Sequence, residues 1–400
     1  MNDAPGGNDA GAGDGRARRR RRWLGAGLAA IVFSIVVAAW LLLRPEQAAP
    51  PGAERSTPDV AAAPAPAAPE PIPMDEREAL PEPVRRYLEA TVYPPGTGRL
   101  TPDHTDLLQP NQRYEDFRKV LDTYSTNPDE VVSVRLTTDH YFYTGDDVVR
   151  LDLRVRRGQT RIEPLSVEAR AAREGRGGAS GEAIPVRFHR EDEAHVATLD
   201  TARFADHHGP IVVEADIEYA PGAIHHETLR FFFTPPGRIP ARFTGEVEDR
   251  LQNGTLVVRV GLEVETPGFY RLDANLYDRL GRPLGYASFK GDLERGLRRV
   301  PIEFFGRLLR DAGASGPFSV GEVRGYRFLE GAHPDRERIP DLPGRFPTAA
   351  YALGDFSPAE YTSAHKQRMV ELMMEDVRNG IAIDTPPLPG GAAPAVADPG

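Results

Sequence analysis

A long apolar run near the start of the chain restricts its architecture more than any other feature. Residues Trp23 to Leu43 include no charged side chain. At about 1.5 Å per residue, such a helix spans roughly 30 Å, the thickness of a bilayer's hydrocarbon core. Trp23 and Trp40 lie near its ends, where indole rings favour the membrane interface. The run therefore predicts a transmembrane helix over residues 23–43 that inserts in the inner membrane.

The preceding residues predict how this helix is oriented. Residues 1–22 form a basic tail that ends in the arginine run Arg18 to Arg22, and such residues remain on the cytoplasmic side. We therefore expect a single-pass protein of the bacterial inner membrane, with its N-terminus in the cytoplasm and its body in the periplasm. A cleaved signal peptide is the alternative, although cleaved signals have shorter apolar regions of about 7–15 residues. Either reading places the body outside the cytoplasm.

Composition excludes several classes of protein. The chain has no cysteine, which rules out disulfides, thiolate metal sites and a lipidated cysteine anchor. Its net charge is -10, so phosphate groups would repel it and we expect no nucleic-acid partner.

Two segments have compositions that cannot bury a core. Residues 44–81 are rich in proline and alanine, which favours an extended, disordered linker that holds the body away from the membrane. Residues 381–400 are predicted to be a disordered tail for the same reason. After the linker, residues 82–130 are predicted to form a short helix at Glu82–Ala90, followed by an irregular wrap.

From residue 131 onward the hydrophobic pattern has a period of two. In "VVRLDLRV", apolar residues alternate with Arg150, Asp152 and Arg154, which is typical of a half-buried strand. Seven short strands predict a first β-sandwich over residues 131–236. We place them near Val131–Thr138, Val149–Val155, Ile162–Ala169, Ile184–Arg190, Ala194–Leu199, Ile211–Tyr219 and His225–Thr234.

The last hairpin of this sandwich bears on a possible metal site. A three-residue loop at Pro221 to Ala223 predicts that Tyr219 lies opposite His225. The pairs His207-His208 and His225-His226 then lie at opposite ends of the hairpin, over 30 Å apart at about 3.3 Å per residue. Zinc ligands lie about 2 Å from the metal, so the two pairs cannot share an ion in one chain.

A second set of strands predicts a second β-sandwich over residues 237–356. Asn253-Gly254 is a strong hairpin signal between two of them. The residues around "FGRLLRDAG" predict a helical turn. The strands are placed at Phe243–Asp249, Thr255–Glu265, Tyr270–Leu276, Leu284–Lys290, Val300–Phe304 and Phe318–Leu329.

One amphipathic helix is predicted at residues 357–380. Ser357 and Glu360 have the spacing of a capping box, and Asn379-Gly380 provides the end. Tyr361, Met369, Leu372, Met373 and Val377 form an apolar stripe that we expect to pack against a sandwich. Docking of a partner on this helix is the alternative.

Two stretches of the body resemble known modules. "TTDHYFYTGDDVVRLDLRV" resembles the opening strands of macroglobulin-type and other immunoglobulin-like modules of bacterial envelope proteins. Tyr270 to Phe328, with Gly316-Pro317-Phe318 before a strand, is similar to an accessory β-sandwich of anchored bacterial surface proteins. The resemblance implies two tandem immunoglobulin-like sandwiches and an envelope location. It transfers no catalytic residues, and the thioester of some macroglobulins needs a cysteine that this chain lacks.

The stretch Thr137 to Val149 is the strongest candidate for a site. It combines Asp139, His140, Asp146 and Asp147 with three aromatic residues and Gly145. Gly145 permits a positive φ, and aspartates bond nearby backbone amides, so we interpret the stretch as a solvent-facing connection between strands. The surface that it exposes remains a place where a partner could bind.

No motif for catalysis or phosphate binding appears in the sequence. We therefore predict no enzyme, no catalytic residue, no cofactor and no metal ligand. Acidic stretches such as "EDEAH" are interpreted as solvated surface, and a weak calcium site in one of them stays open.

The predicted function is a structural or adaptor role in the cell envelope. The anchor, the linker and the sandwich modules favour a protein that binds another envelope component through sheet edges or loops. A cell-wall or carbohydrate binder is the alternative, because Tyr141, Phe142 and Tyr143 could stack on sugars if they shared an exposed face. Two further alternatives are less favoured than these: an envelope hydrolase with dispersed acidic residues, and a TonB-like energy transducer.

Overall fold

The computed structural model describes residues 71–113, 119–121, 127–175 and 178–383. The predicted basic tail, the transmembrane helix over 23–43 and most of the linker lie outside these ranges, as do residues 384–400 of the predicted tail. Among the described residues, no helix has both the length and the apolar character that crossing a membrane requires.

Five α-helices occur in the described residues. They are α1 (Met74–Glu78), α2 (Glu82–Ala90), α3 (Thr105–Leu108), α4 (Gly306–Asp311) and α5 (Ala364–Arg378). Short 3-10 helices occur at Thr201–Phe204, Pro236–Arg238 and Leu353–Asp355.

The rest of the described body is dominated by strands, which confirms the predicted mainly β class. In chain order these are β1 (Thr97–Arg99), β2 (Lys119–Val120), β3 (Val132–Thr138), β4 (Phe142–Thr144), β5 (Val148–Arg157), β6 (Thr160–Arg161), β7 (Ser166–Gly175), β8 (Gly178–Val186), β9 (His189–Glu191), β10 (Ala194–Asp200), β11 (Gly209–Ala220), β12 (Ala223–Thr234), β13 (Ala241–Gln252), β14 (Thr255–Val264), β15 (Gly268–Tyr277), β16 (Pro283–Leu293), β17 (Gly296–Phe304), β18 (Ser319–Phe328), β19 (Arg336–Leu342) and β20 (Phe346–Pro347).

Strands β2 to β12 form a first pair of sheets. One sheet has the order β2-β3-β5-β10-β9, with β6 paired to β5, and the other has the order β4-β12-β11-β7-β8. The alternation on β5 is the predicted one, since Val149, Leu151 and Leu153 are fully buried while Arg150 is exposed. The buried apolar residues between these sheets form two clusters rather than one.

Strands β1 and β13 to β20 form a second pair of sheets. One sheet has the order β1-β16-β15-β18-β19, with β20 paired to β18, and the other has the order β13-β14-β17. Asn253 (φ 49°) and Gly254 (φ 72°) form the predicted tight turn between β13 and β14, a conformation that asparagine and glycine tolerate best. One continuous apolar cluster fills the space between these sheets. Facing sheets in both pairs fit the predicted sandwich.

The register predicted for the β11–β12 hairpin is wrong. Ile217, not Tyr219, lies opposite His225, and Ile211 lies opposite Phe231. The loop is shorter than expected, because Ala220 pairs directly with Ala223, and a bulge absorbs Tyr219. The resulting shift is an even number of residues, so each side chain keeps its predicted face.

Two further strand predictions need correction. The strand expected at Ile162–Ala169 starts only at Ser166, because Pro164 has no N–H to donate to a ladder. The strand expected at Ile184–Arg190 is instead the end of β8 followed by the separate β9.

The segment predicted as an irregular wrap takes part in both sheet pairs. Helix α2 has the predicted bounds, but β1 then joins the second pair through β16, and β2 joins the first pair through β3. The last residues of the predicted linker are also ordered. Helix α1 lies there, and its Arg77 contacts both carboxylate oxygens of Glu360 at 3.1 and 2.6 Å.

The C-terminal helix starts later than predicted and packs elsewhere. Ser363 Oγ accepts the hydrogen bond from the Lys366 N–H and caps α5, so Ser357 and Glu360 are not the capping box. Met373 packs against Val84 and Leu88 of α2 in a small separate cluster instead of against a sheet. The predicted stripe is partly wrong as well, because Leu372 is exposed.

Candidate functional site

The stretch Thr137 to Val149 folds as a crossing between the two sheets of the first pair. Strand β3 ends at Thr138, and β4 then pairs in parallel with β12 of the opposite sheet. Thr144 to Asp147 form the predicted turn: the Asp147 carboxylate accepts from the Thr144 N–H at 2.7 Å, and Gly145 has φ 60°. The interpretation as a connection between strands thus agrees with the geometry of its second half.

The first half of this stretch is tied to the core by one carboxylate. Asp139 accepts hydrogen bonds from the His140 N–H and from the Tyr143 hydroxyl. Burial, followed by the hydrogen bond to Asp139, raises the pKa of Tyr143. Asp139 and His140 are about half exposed and face a cleft.

This cleft is the candidate site that the structure offers around Asp139 and His140, and its volume is about 780 Å³. It lies between the two sheet pairs. Its first wall is the outer face of β3 and β5, with Thr137 and Asp152, and its second wall includes Glu322 and Asp341. A segment that we call the strap, residues 107–113, lines the third side through residues 108–113.

The strap is hydrogen-bonded to both walls. From the second pair, Asn275 Nδ2 donates to the Leu107 carbonyl at 2.6 Å. Toward the first pair, Asn111 donates to the Phe142 carbonyl at 2.8 Å and accepts from the Phe142 N–H at 3.0 Å. Arg113 donates to the Thr138 hydroxyl at 3.1 Å. Through these contacts the strap links the two walls.

Charged side chains of both signs line the cleft, and many are paired with each other. Arg154 donates to Asp152 at 2.9 Å on the first wall, and Arg338 donates to Asp341 at 2.8 Å on the second. Arg150 contacts Glu191 at 2.8 Å, and this hydrogen bond lowers the pKa of Glu191. The surface therefore offers both donors and acceptors to a polar ligand without a strong net field.

Glu322 has the most unusual backbone on the second wall. Its φ of 47° lies in the left-handed region that favours glycine, which costs a non-glycine residue about 1 kcal/mol or more. The buried Tyr277 hydroxyl and Arg345 both donate to its carboxylate. Burial, followed by this hydrogen bond, raises the pKa of Tyr277 to about 12. The strain and its supporting contacts occur where a ligand in the cleft would be contacted.

A buried carboxylate of the second pair binds the segment that connects the two sheet pairs. Glu337 of β19 is 2% exposed. It accepts from Arg238, which lies between the two pairs along the chain, at 2.7 Å and from Arg327 at 2.6 Å. Arg338 lies 5.0 Å from the ring centroid of Phe142 on β4 and adds a cation–π contact across the same junction.

The histidine pairs still lie toward opposite ends of the hairpin, but the corrected register shortens their predicted separation, because Ile217 is two residues nearer to His208 than Tyr219 is. His207 and His208 precede β11, whereas His225 pairs with Ile217 toward the other end of that strand. Within residues 71–113, 119–121, 127–175 and 178–383, no group of three or more histidine and acidic side chains has the arrangement needed to hold a metal ion.

The three aromatics of the motif do not form one exposed platform. Tyr143 is 2% exposed, Phe142 stacks on Phe232 with 5.3 Å between ring centroids, and Arg113 lies 4.4 Å from the centroid of Tyr141. The condition that would have favoured sugar stacking is therefore not met.

Sequence reasoning placed Asp139 and His140 in a candidate region but missed most of the cleft. The outward alternation of Arg150, Asp152 and Arg154 was the available signal for the first wall. The second wall had none because it comes from a segment far away along the chain, and the strap had none because it lies in the segment predicted to be an irregular wrap.

No protein-family model and no curated protein matches this chain. Among solved structures, a DUF4785 family protein from Legionella pneumophila is 18% identical with a TM-score of 0.40, over 56% of this chain and 58% of that one. The adhesin InvE from Yersinia pseudotuberculosis is 11% identical with a TM-score of 0.20, over 54% of this chain and 58% of that one. An alpha-2-macroglobulin from Escherichia coli is 12% identical with a TM-score of 0.21, over 60% of this chain and 17% of that one.

This chain therefore spans just over half the length of the Legionella protein. Because these TM-scores are low, the likenesses carry no argument about function, and the fold is defined by the sheets described above.

Proposed function

We propose that this chain is a non-enzymatic adaptor of the bacterial cell envelope, anchored in the inner membrane through residues 23–43. Its two sheet pairs would act as tandem immunoglobulin-like modules outside the cytoplasm. They would bind another envelope component in the cleft between them. The cleft is the observation that carries this proposal, because its two walls and its strap are held together by direct hydrogen bonds.

The chemistry of the cleft favours an extended polar partner, such as a protein segment. Its walls carry paired charges and backbone groups, and its volume of about 780 Å³ lies within the range of ligand sites, roughly 300–1,000 Å³. Such a surface gives specificity through complementary hydrogen bonds and ion pairs more than through apolar burial.

Site-specific photo-crosslinking in living cells tests the proposal. A photoreactive amino acid at Gln112, an exposed strap residue facing the cleft, is expected to yield one discrete adduct with an envelope component. The matched control carries the same amino acid at Leu297, an exposed position on β17. Equal adducts from both positions would contradict a specific cleft. An adduct with cell-wall glycan would favour the carbohydrate alternative, and substrate turnover by the purified chain would favour a hydrolase.

A further inference from the structure

The outer face of the second sheet pair carries an unusual set of charges. On β15, Tyr270, Leu272 and Ala274 point into the core, so the residues between them point outward. The strand register places Lys290 and Tyr326 on either side of Arg271. In the next outward row, the register places Ser288 and Arg324 on either side of Asp273. These side chains therefore form one continuous array across three strands.

Arg324 is the most deeply placed cation of this array. Only 8% of it is exposed. Its Nη1 donates to the Glu322 carbonyl at 2.8 Å, and its Nε and Nη2 have no hydrogen-bond partner in the described residues. A guanidinium buried to this extent normally has a carboxylate beside it, because an unpaired buried charge is costly.

Two carboxylates, Asp273 and Asp341, act electrostatically on Arg324, but both accept hydrogen bonds from other side chains. Asp273 lies across the strand but accepts from Arg271 at 2.9 Å and from Ser288. Asp341 accepts from Arg338 at 2.8 Å. Neither forms an ion pair with Arg324 in the described part of the chain.

The array also has an excess of positive charge. Four cations, Arg271, Lys290, Arg324 and Arg338, face two carboxylates, Asp273 and Asp341. Lys290 is exposed and forms no ion pair with any described residue. Burial lowers the pKa of Arg324, and the carboxylates of Asp273 and Asp341 oppose this shift without pairing with its guanidinium. This local excess occurs in a chain whose net charge is -10.

We propose that this array, the Arg324 face, binds the oxyanion group of a ligand, either a carboxylate or a phosphate. The free Nε and Nη2 of Arg324 present the planar fork that engages two oxygens of such a group at once. Lys290 and Arg271 supply additional positive charge from the neighbouring strands, while Tyr326 borders the site. The array shares the Arg338–Asp341 pair with the second wall of the cleft, but Arg324, Arg271 and Lys290 do not line the cleft. Variants at these three positions therefore test this proposal without changing the cleft, and either proposal can fail alone.

Calorimetric titration of the purified full-length protein tests this inference. The probes are inorganic phosphate and an oligogalacturonate, with a neutral oligosaccharide of equal length as the control ligand. Saturable binding of one charged probe identifies the source of the oxyanion, and the neutral oligosaccharide is expected not to bind.

Variants then locate the site. Arg324→Gln is expected to weaken binding about tenfold or more, the loss expected for a charge-assisted hydrogen bond. Lys290→Gln, at an exposed position, is expected to weaken it by a smaller factor and remains informative if Arg324→Gln does not fold. Arg279→Gln, in the exposed β15–β16 turn, is the matched control and is expected to leave binding unchanged. No saturable binding of either charged probe, or unchanged binding in Lys290→Gln and Arg324→Gln, would overturn the proposal.

Discussion

The two sheet pairs enclose their cores in different ways. The second pair is filled by one continuous apolar cluster, whereas the first pair contains two smaller clusters linked by partly buried residues such as Leu136 and Phe188. The strap is hydrogen-bonded to both pairs, but to the first it forms several such contacts, including those to Phe142 and Thr138, and to the second the contact from Asn275. This difference indicates that the second pair is the more self-sufficient module and that the first depends more on contacts from outside its own sheets.

Truncation of a core phenylalanine should lower the unfolding free energy most, and doing so in each sheet pair compares the two cores. Phe304→Ala in the continuous cluster removes a fully buried ring and is expected to cost about 3–5 kcal/mol of unfolding free energy. Phe231→Ala in the first pair is expected to lie nearer the lower end of that range, because a smaller cluster bordered by partly buried residues can relax around the cavity. Urea unfolding followed by circular dichroism measures both. A larger loss for Phe231→Ala would reverse the comparison.

Removal of the junction carboxylate should have the next largest effect. Glu337→Ala leaves Arg238 and Arg327 without their shared partner, and we expect a loss of about 3 kcal/mol, as for other broken buried ion pairs. Asp335→Ala breaks only the partly exposed pair with Arg336 and is expected to cost about 1 kcal/mol or less. Thermal melts of the two variants should separate clearly. Similar melts would show that Glu337 does not hold the segment that connects the two pairs.

The strap should contribute less than the junction. Asn111→Ala removes two hydrogen bonds to the Phe142 backbone, and we expect a loss of about 1–2 kcal/mol. Hydrogen exchange of β4 should accelerate in this variant while that of β14 in the second core stays unchanged. The control is Gln112→Ala, whose side chain is exposed. Equal acceleration in both variants would contradict the assigned role of Asn111.

The smallest effect concerns pH at the junction. Neither ring nitrogen of His208 has a hydrogen-bond partner in the described residues, and burial lowers its pKa below the usual 6.5, with Glu337 opposing and Arg238 and His207 adding to the shift. The nearby Arg336 backbone also raises the pKa of His208, although it forms no hydrogen bond with either ring nitrogen. Since the unfolded state then binds the proton more readily, this contribution to stability is present above pH 6.5 and is lost as the pH falls from there toward the lowered pKa.

Replacement of His208 isolates its contribution to the pH dependence of stability. His208→Leu is expected to show a shallower loss of stability between pH 7.5 and pH 5 than the unchanged protein, as measured by urea midpoints at each pH. His189→Leu, at an exposed position, is expected to follow the unchanged protein. Parallel curves for all three proteins would contradict an effect of His208.

The sequence predicted the elements with strong local signals. The alternation on β5, the Asn253-Gly254 turn and the bounds of α2 depend on neighbouring residues only. The predicted β11–β12 register was wrong because no residue type in the sequence indicates the bulge at Tyr219. The predicted start of α5 was wrong because both Ser357 and Ser363 are suitable N-cap residues by type. In the structure Ser363 caps the helix, and the Glu360 side chain of the predicted capping box pairs with Arg77 instead.

The candidate site was less predictable than the fold. Asp139 and His140 attracted attention through their local density of charge. The cleft that they line requires Glu322 and Asp341, nearly two hundred residues away, and a strap from before β3. Such a site depends on which segments pack together, and one sequence does not contain that information in a local pattern.

The yield of the Gln112 photo-adduct in a variant with a filled cleft shows whether the partner binds inside the cleft. Thr137 lies on the first wall, so Thr137→Trp places a large ring in the space that the partner would occupy. Asp146→Trp, in the exposed turn before β5, is the matched control. If the cleft is the binding site, the adduct should be lost in Thr137→Trp and retained in Asp146→Trp. Equal adduct yields in the two variants would show that the partner contacts the strap without entering the cleft, and would contradict the account.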